Sequence, residues 1–448
     1  MNTFLDTMSQ WIIAASDAVC GYPEFLLLIG GGLFLFFYSR GISIRHLPQA
    51  LRALREKQAE QSGRGQISSV QALLSAIAAT VGMGNIAGVA IALSVGGPGA
   101  IFWMWVSALV GMSTKFFEGA LSIMYKGTDS AGEVQGGPMY IITQGLGRKW
   151  RWMAVAFSIF GLVGTLCFMQ ANQLVEAVTT VITTPMGLGA GTPVRFALGC
   201  IIMLIVGAVI LGGIRRIAAI ASRVVPFMVC LYMVLVLVIV VWHIGEIPHV
   251  FKLIVTEAFS FKAGLGAFTF VALTGARRAA MVNEAGVGTA SMMHGASANT
   301  DPVREGHIAM LGPAIDSGLV CTLTAIPLIL TGHFSTGSIN SAQGLSVALN
   351  AFESLLPIGQ YLLLVILFFF AFSTMFSYSY YGQKCTNYLF GAKNAKYYNY
   401  YYLVMIVVAA VMPLNTLVSV MDLAFALMAL CTMVTLIALA PRVKKLIG

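Results

Sequence analysis

The sequence predicts an all-α polytopic membrane protein. Of its 448 residues, 58% are hydrophobic and only 10% charged, which leaves too little polar material to coat a water-soluble globule. Apolar stretches about 20 residues long recur from end to end, the length a helix needs to cross a hydrocarbon core of roughly 30 Å. A β-barrel would alternate polarity in segments of about ten residues. These stretches are instead unbroken and rich in Gly, Ala, Met and Leu, so the spans are helices.

The first hydrophobic run, Phe25 to Tyr38, places a helix at 23–39. No basic region precedes it in MNTFLDTMSQ, so a retained helix is expected instead of a cleaved signal. The charged segment from Arg40 to Arg64 follows. Ten more helices are expected at 67–95, 98–125, 152–182, 194–213, 218–243, 264–290, 303–333, 358–382, 398–413 and 415–440. The division reads as an N-terminal helix with its basic segment (1–66), a first five-helix half (67–243) and a second five-helix half with a C-terminal tail (244–448).

Eleven crossings also organise the charge. Of the 26 Lys and Arg residues, only Arg195, Lys252 and Lys262 fall on one side, and Lys115 lies within a span. The others follow odd-numbered crossings or belong to the tail, Arg277, Arg278, Arg442, Lys444 and Lys445 among them. The positive-inside rule then puts the N-terminus outside and the C-terminus in the cytoplasm. A net charge of +9 therefore points to membrane orientation, and no nucleic-acid partner is expected. Two halves of five helices have opposite topology, as in inverted-repeat transporters. The compact loops suit a prokaryotic inner membrane.

Gly82, Gly84 and Gly88 surround Asn85 in the middle of the second span. Glycine costs about 1 kcal/mol in a helix, and open backbone is tolerable in hydrocarbon only where it lines a protein cavity. Free N–H groups at such a break attract carboxylates and free carbonyls attract cations; close packing of helices through small residues is the alternative. Gly264, Gly266, Thr269 and Phe270 mark a second glycine-broken segment where an inverted repeat would place its discontinuous helix. Gln170 and Asn172 are amides within a span and should face a partner or a wet cavity. Lys115 and Glu118, three apart on one helix face, suit a structural ion pair. Asp316 fits either a cation or proton path or a kink near Pro313.

Other chemistry is excluded. The 7 cysteines are scattered singly, the 6 histidines form no zinc spacing, and there is no phosphate loop, so no ATPase partner is implied. No cluster of acid, base and nucleophile can be assembled, so no enzyme is expected and no residue is assigned as catalytic. A channel would need a continuous polar file or a ring of like charges, which the spans lack.

Four segments, TVGMGNIAGVA, GGPMYIITQGLG, NEAGVGTA (Asn283–Ala290) and STMFSYSYYG (Ser373–Gly382), resemble the alanine or glycine:cation symporter family across nearly the whole chain. That family is similar in fold to the leucine transporter LeuT, implying a LeuT-like 5+5 inverted-repeat core of ten helices with one extra N-terminal helix. The resemblance implies symport of a small neutral amino acid (alanine, glycine, serine or glutamine) with Na⁺ as coupling ion across the plasma membrane, and no organic cofactor. It places the Gly82–Met83–Gly84 backbone at the substrate carboxylate with Thr80 and Asn85 near it, and Gln170, Asn172, Thr269, Phe270 and Tyr378 at the substrate. Carbonyls of Ala78 and Val81 and hydroxyls of Ser373 and Thr374 would hold Na⁺, the lesser alternative being that the hydroxyls bond back to their own helix. Proton coupling is the alternative. Ser377, Tyr378 and Gln383 replace the family's Gly, Trp and Glu, which puts alanine or glycine specificity in question. RRAAMV at Arg277–Val282 replaces KRGLFS and is expected on the cytoplasmic side.

Overall fold

The computed structural model describes residues 10–12, 14–16, 18–20, 22–55, 65–259, 265–334 and 341–447. Among them the regular structure is helical except for a small antiparallel hairpin, β1 (Gly127–Thr128) and β2 (Val134–Gln135). The helices are α1 (Gln10–Tyr38), α2 (Leu47–Arg55), α3 (Ser69–Thr80), α4 (Gly84–Gly96), α5 (Gly99–Met124), α6 (Arg148–Thr183), α7 (Thr192–Ile210) and α8 (Gly213–Trp242). They continue as α9 (Ile247–Ala258), α10 (Leu265–Asn283), α11 (Thr289–Gly295), α12 (Pro302–Thr331), α13 (Ser341–Leu355), α14 (Gly359–Phe390), α15 (Ala392–Val411) and α16 (Leu414–Ile447).

Eight of these, among the described residues, are long and apolar enough to cross a bilayer, nine when the bent pair α3 and α4 counts as one span. The chain is thus a polytopic helical membrane protein. Helices α10 and α15, of 19 and 20 residues, reach roughly 30 Å at about 1.5 Å per residue but are less apolar. Arg277 and Arg278 lie within α10, and α15 opens on Lys393, Lys396 and a run of tyrosines. Both stand where the seventh and tenth crossings are expected.

Helix α5 is the packing centre. It is buried along most of its length, and α10, α11 and α12 lie against it. Helices α6 and α16, α7 and α15, and α3 and α8 form further pairs around it. α1 rests on α5 and α16 through Gly31 and Gly32, which face Met433 and Val110. Small residues at such seams let backbones approach where no hydrophobic effect drives association.

Two expectations are corrected. Gly264 lies outside the described residues, but α10 runs unbroken through Gly266, because the helix cost of one glycine, about 1 kcal/mol, is too small by itself to break a helix. The second discontinuity lies instead at 284–288, where Glu284, Gly286 and Gly288 take φ of 51°, 93° and 98°. Arg277–Val282 belongs to α10, within the span expected at 264–290, and Arg278, Ala280, Met281 and Val282 line a cavity. Arg442, Lys444 and Lys445 do not form a separate tail; they continue α16.

Candidate functional site

Helix α3 ends at Thr80, and Val81 turns into extended backbone with ψ 102°. The chain re-enters a helix at Gly84 with the axis bent by 57°. This break exposes peptide groups that hydrocarbon cannot satisfy, so side chains must take them up. Asn85 does so: its Oδ1 accepts the Gly82 N–H at 2.9 Å, and its Nδ2 donates to Asp316 Oδ1 on α12 at 2.5 Å. A Cβ at Gly82 would stand 2.7 Å from Thr374 Oγ1 on α14, so the absence of a side chain there is what lets α14 close against the break.

The second break is held in the same manner. Glu118 Oε1 on α5 accepts the Gly286 N–H at 2.5 Å, and Asn283 Oδ1 accepts the Ala285 N–H at 3.0 Å. Lys115 and Glu118 do not close the ion pair their spacing suggests, since the carboxylate turns to the backbone of the break. Glu284, 2% exposed, accepts hydroxyl hydrogen bonds on both oxygens, from Thr289 Oγ1 at 2.6 Å and from the Tyr378 phenol.

Between the two breaks lies a cavity of about 100 Å³. Of the residues expected at a substrate, Thr80, Gly82, Gly84, Gln170 and Tyr378 line it, and Gln170 Oε1 is buried without a hydrogen-bond partner. Met83 and Asn85 are buried behind the break. The Asn172 amide donates to the carbonyls of Ala409 and Met412, each at 2.8 Å. Thr269 is exposed and Phe270 is 52% exposed, so neither borders the cavity in this conformation.

Of the expected cation ligands, Thr374 Oγ1 lies 3.5 Å from the Val81 carbonyl. Thr374 and Ser373 also each donate to the Phe370 carbonyl at 3.0 Å, and Ala78 is buried. Hydroxyl and carbonyl oxygens in this combination suit a hard monovalent ion.

Sequence reasoning missed the cavity's charges, Glu24 on α1, Arg278, Glu284 and Asp422 on α16. The signal was present, since an ionisable residue inside a span is a functional hypothesis by default. Glu284 stood within an expected span and within a quoted motif. At one end Glu24, Arg278 and Asp422 face the same space. Deeper in the protein Lys115 lies in the neighbourhood of Glu118, Glu284 and Asp316, and forms no ion pair with any of them among the described residues.

The model of the family described as "Sodium:alanine symporter family" matches residues 5–448. The chain belongs to that family. The sodium/alanine symporter AgcS of Methanococcus maripaludis is 38% identical over 386 residues, covering 85% of this chain and 83% of the relative. An uncharacterized transporter of Haemophilus influenzae is 39% identical, covering 97% and 94% of the two chains. A Bacillus subtilis relative named "Probable sodium/glutamine symporter GlnT" is 32% identical, covering 95% and 86%. This symporter is accordingly a multi-pass membrane carrier and not an enzyme; it moves an amino acid together with a cation.

Proposed function

We propose that the protein couples inward Na⁺ movement to uptake of a small neutral amino acid, alanine or glycine first and serine or glutamine next, across a prokaryotic plasma membrane. The observation that supports this best is the break at Val81–Met83, which borders a cavity among the spans and has the Thr374 hydroxyl against the Val81 carbonyl. The substrate carboxylate sits at Gly82 and Gly84 beside Thr80, with Gln170 and Tyr378 on the opposite walls. Na⁺ sits between the Ala78 and Val81 carbonyls and the hydroxyls of Ser373 and Thr374. Release of those hydroxyls from the Phe370 carbonyl accompanies ion binding.

The architecture in this reading is eleven crossings, with α10 and α15 as the seventh and tenth, in a LeuT-like 5+5 core. One broken helix heads each half, α3 with α4 and α10 with α11, and the N-terminus lies outside. Alternating access follows from rocking the broken helices against the rest.

Proton coupling is the second reading, favoured by Asp316, a fully buried carboxylate tied to the break through Asn85. Uptake of labelled neutral amino acids into proteoliposomes, with equal Na⁺, K⁺ or H⁺ gradients, separates the two. Concentrative alanine uptake driven by Na⁺ alone is expected; uptake indifferent to Na⁺ and driven by H⁺ would replace the coupling ion. Uptake of no neutral amino acid would sink the substrate assignment.

A further inference from the structure

Resting on the amino acid reading, we propose that Glu284 is the acceptor for the substrate's α-ammonium group. A zwitterion taken out of bulk water into the protein needs a partner at both ends. The break at Gly82–Gly84 serves the carboxylate end; of the expected set Gln170 Oε1, unpartnered on the same cavity, offers the ammonium an acceptor but no negative charge.

Three acids share the field of Lys115, and of these Glu284 is the one that lines the cavity. Glu118 is bound to the Gly286 N–H and Asp316 to Asn85. Glu284 is held by two hydroxyls, of Thr289 and Tyr378, which fix the carboxyl in place and bring no positive charge to it. No Lys, Arg or His nitrogen forms an ion pair with it among the described residues. Arg278 and Asp422 line the same cavity.

A buried carboxylate so placed is costly until a cation arrives, and an α-ammonium brings three donors to it. Its backbone supports the aim: at φ 51° Glu284 leaves the axis of α10 at the break, so its side chain turns to the cavity and not along a helix face. Tyr378, which stands where the family carries Trp, is the positioning residue for this carboxylate.

The test measures binding of alanine and of propionate, its des-amino analogue, to the full-length protein in detergent at saturating Na⁺, and of Na⁺ alone. Wild type should bind alanine at least about a hundredfold tighter than propionate. Glu284→Gln should weaken alanine by roughly a hundredfold while propionate and Na⁺ affinities stay within about threefold. Alanine affinity unchanged in Glu284→Gln, or a parallel loss of Na⁺ affinity, would overturn the assignment.

If Glu284→Gln does not fold, wild type alone still decides, because equal binding of propionate and alanine leaves the ammonium without a partner and rejects the proposal. Tyr378→Phe keeps the charge and removes one donor; a loss of alanine affinity of about threefold to tenfold with Na⁺ affinity unchanged is expected, and loss of both would mark a structural role. Wild type that binds no neutral amino acid rejects the transport reading itself, whereas alanine binding equal in wild type and Glu284→Gln rejects only this inference.

Discussion

Asn85 joins two groups, the neighbouring Gly82 through its Oδ1 and the distant Asp316 through its Nδ2, and so ties the end of α3 to the middle of α12. Its position beside three glycines was legible, because an amide at membrane depth needs a partner. Its partner Asp316 was not, since residues 231 apart meet only through packing. Thr374 shows the same limit: a hydroxyl in a span bonds its own helix by default, and only the approach of Val81 within 3.5 Å gives it a second direction. Thr374→Ala should raise the Na⁺ concentration for half-maximal uptake about tenfold, the loss of one hydrogen bond to an ion, with surface expression little changed. Uptake with wild-type sodium dependence in that variant would remove Thr374 from the ion site.

Helices are where periodicity and length speak most clearly. The span expected at 98–125 is α5, Gly99–Met124, and the span expected at 303–333 is α12, Pro302–Thr331. Breaks are less legible, because glycine content alone does not separate a tolerated helical Gly266 from a Gly286 or Gly288 in the left-handed region. At Gly288 the reason is double: φ is 98°, and a Cβ would meet Pro138 Cγ and Thr432 Oγ1 at 2.5 Å. Gly288→Ala should therefore cost about 2–4 kcal/mol, seen as a lowered unfolding midpoint in detergent. Gly312→Ala, where nothing lies within 4 Å of the added carbon, serves as the control and should leave the midpoint nearly unchanged. Equal midpoints for both variants would show that the second break is not under this constraint.

At the scale of the molecule, the β1–β2 hairpin ties the first half of the chain to the second. Asp129 accepts from Asn387 Nδ2 at 2.8 Å and Gln135 Nε2 at 2.7 Å, and from the N–H groups of Ala131 and Glu133. Lys384 donates to Gln135, and Ser130 Oγ accepts the Ala392 N–H. Burial works against the Asp129 charge, but these donors outweigh it and hold the carboxyl below its usual 3.8. A depressed folded value means that the clasp contributes in full above the usual value and is lost as pH falls through the folded one. Wild type should therefore lose thermal stability below about pH 4 more steeply than Asp129→Asn, which should be less stable at pH 7. Parallel pH profiles for the two would exclude Asp129 as the clasp.

The sequence by itself determined the helical membrane class, the placement of the long apolar helices and the first helix break. Each is a local property, set by hydrophobic length, by glycine and by the demand that backbone groups be satisfied in lipid. Tertiary structure alone decided that the second break falls at Glu284–Gly288, that Glu118 turns to Gly286 instead of Lys115, and that Arg278, Glu284 and Asp422 share one cavity. Those depend on which distant side chains reach one another. In a medium of low dielectric, a partner within hydrogen-bond reach outweighs any preference that the local sequence carries.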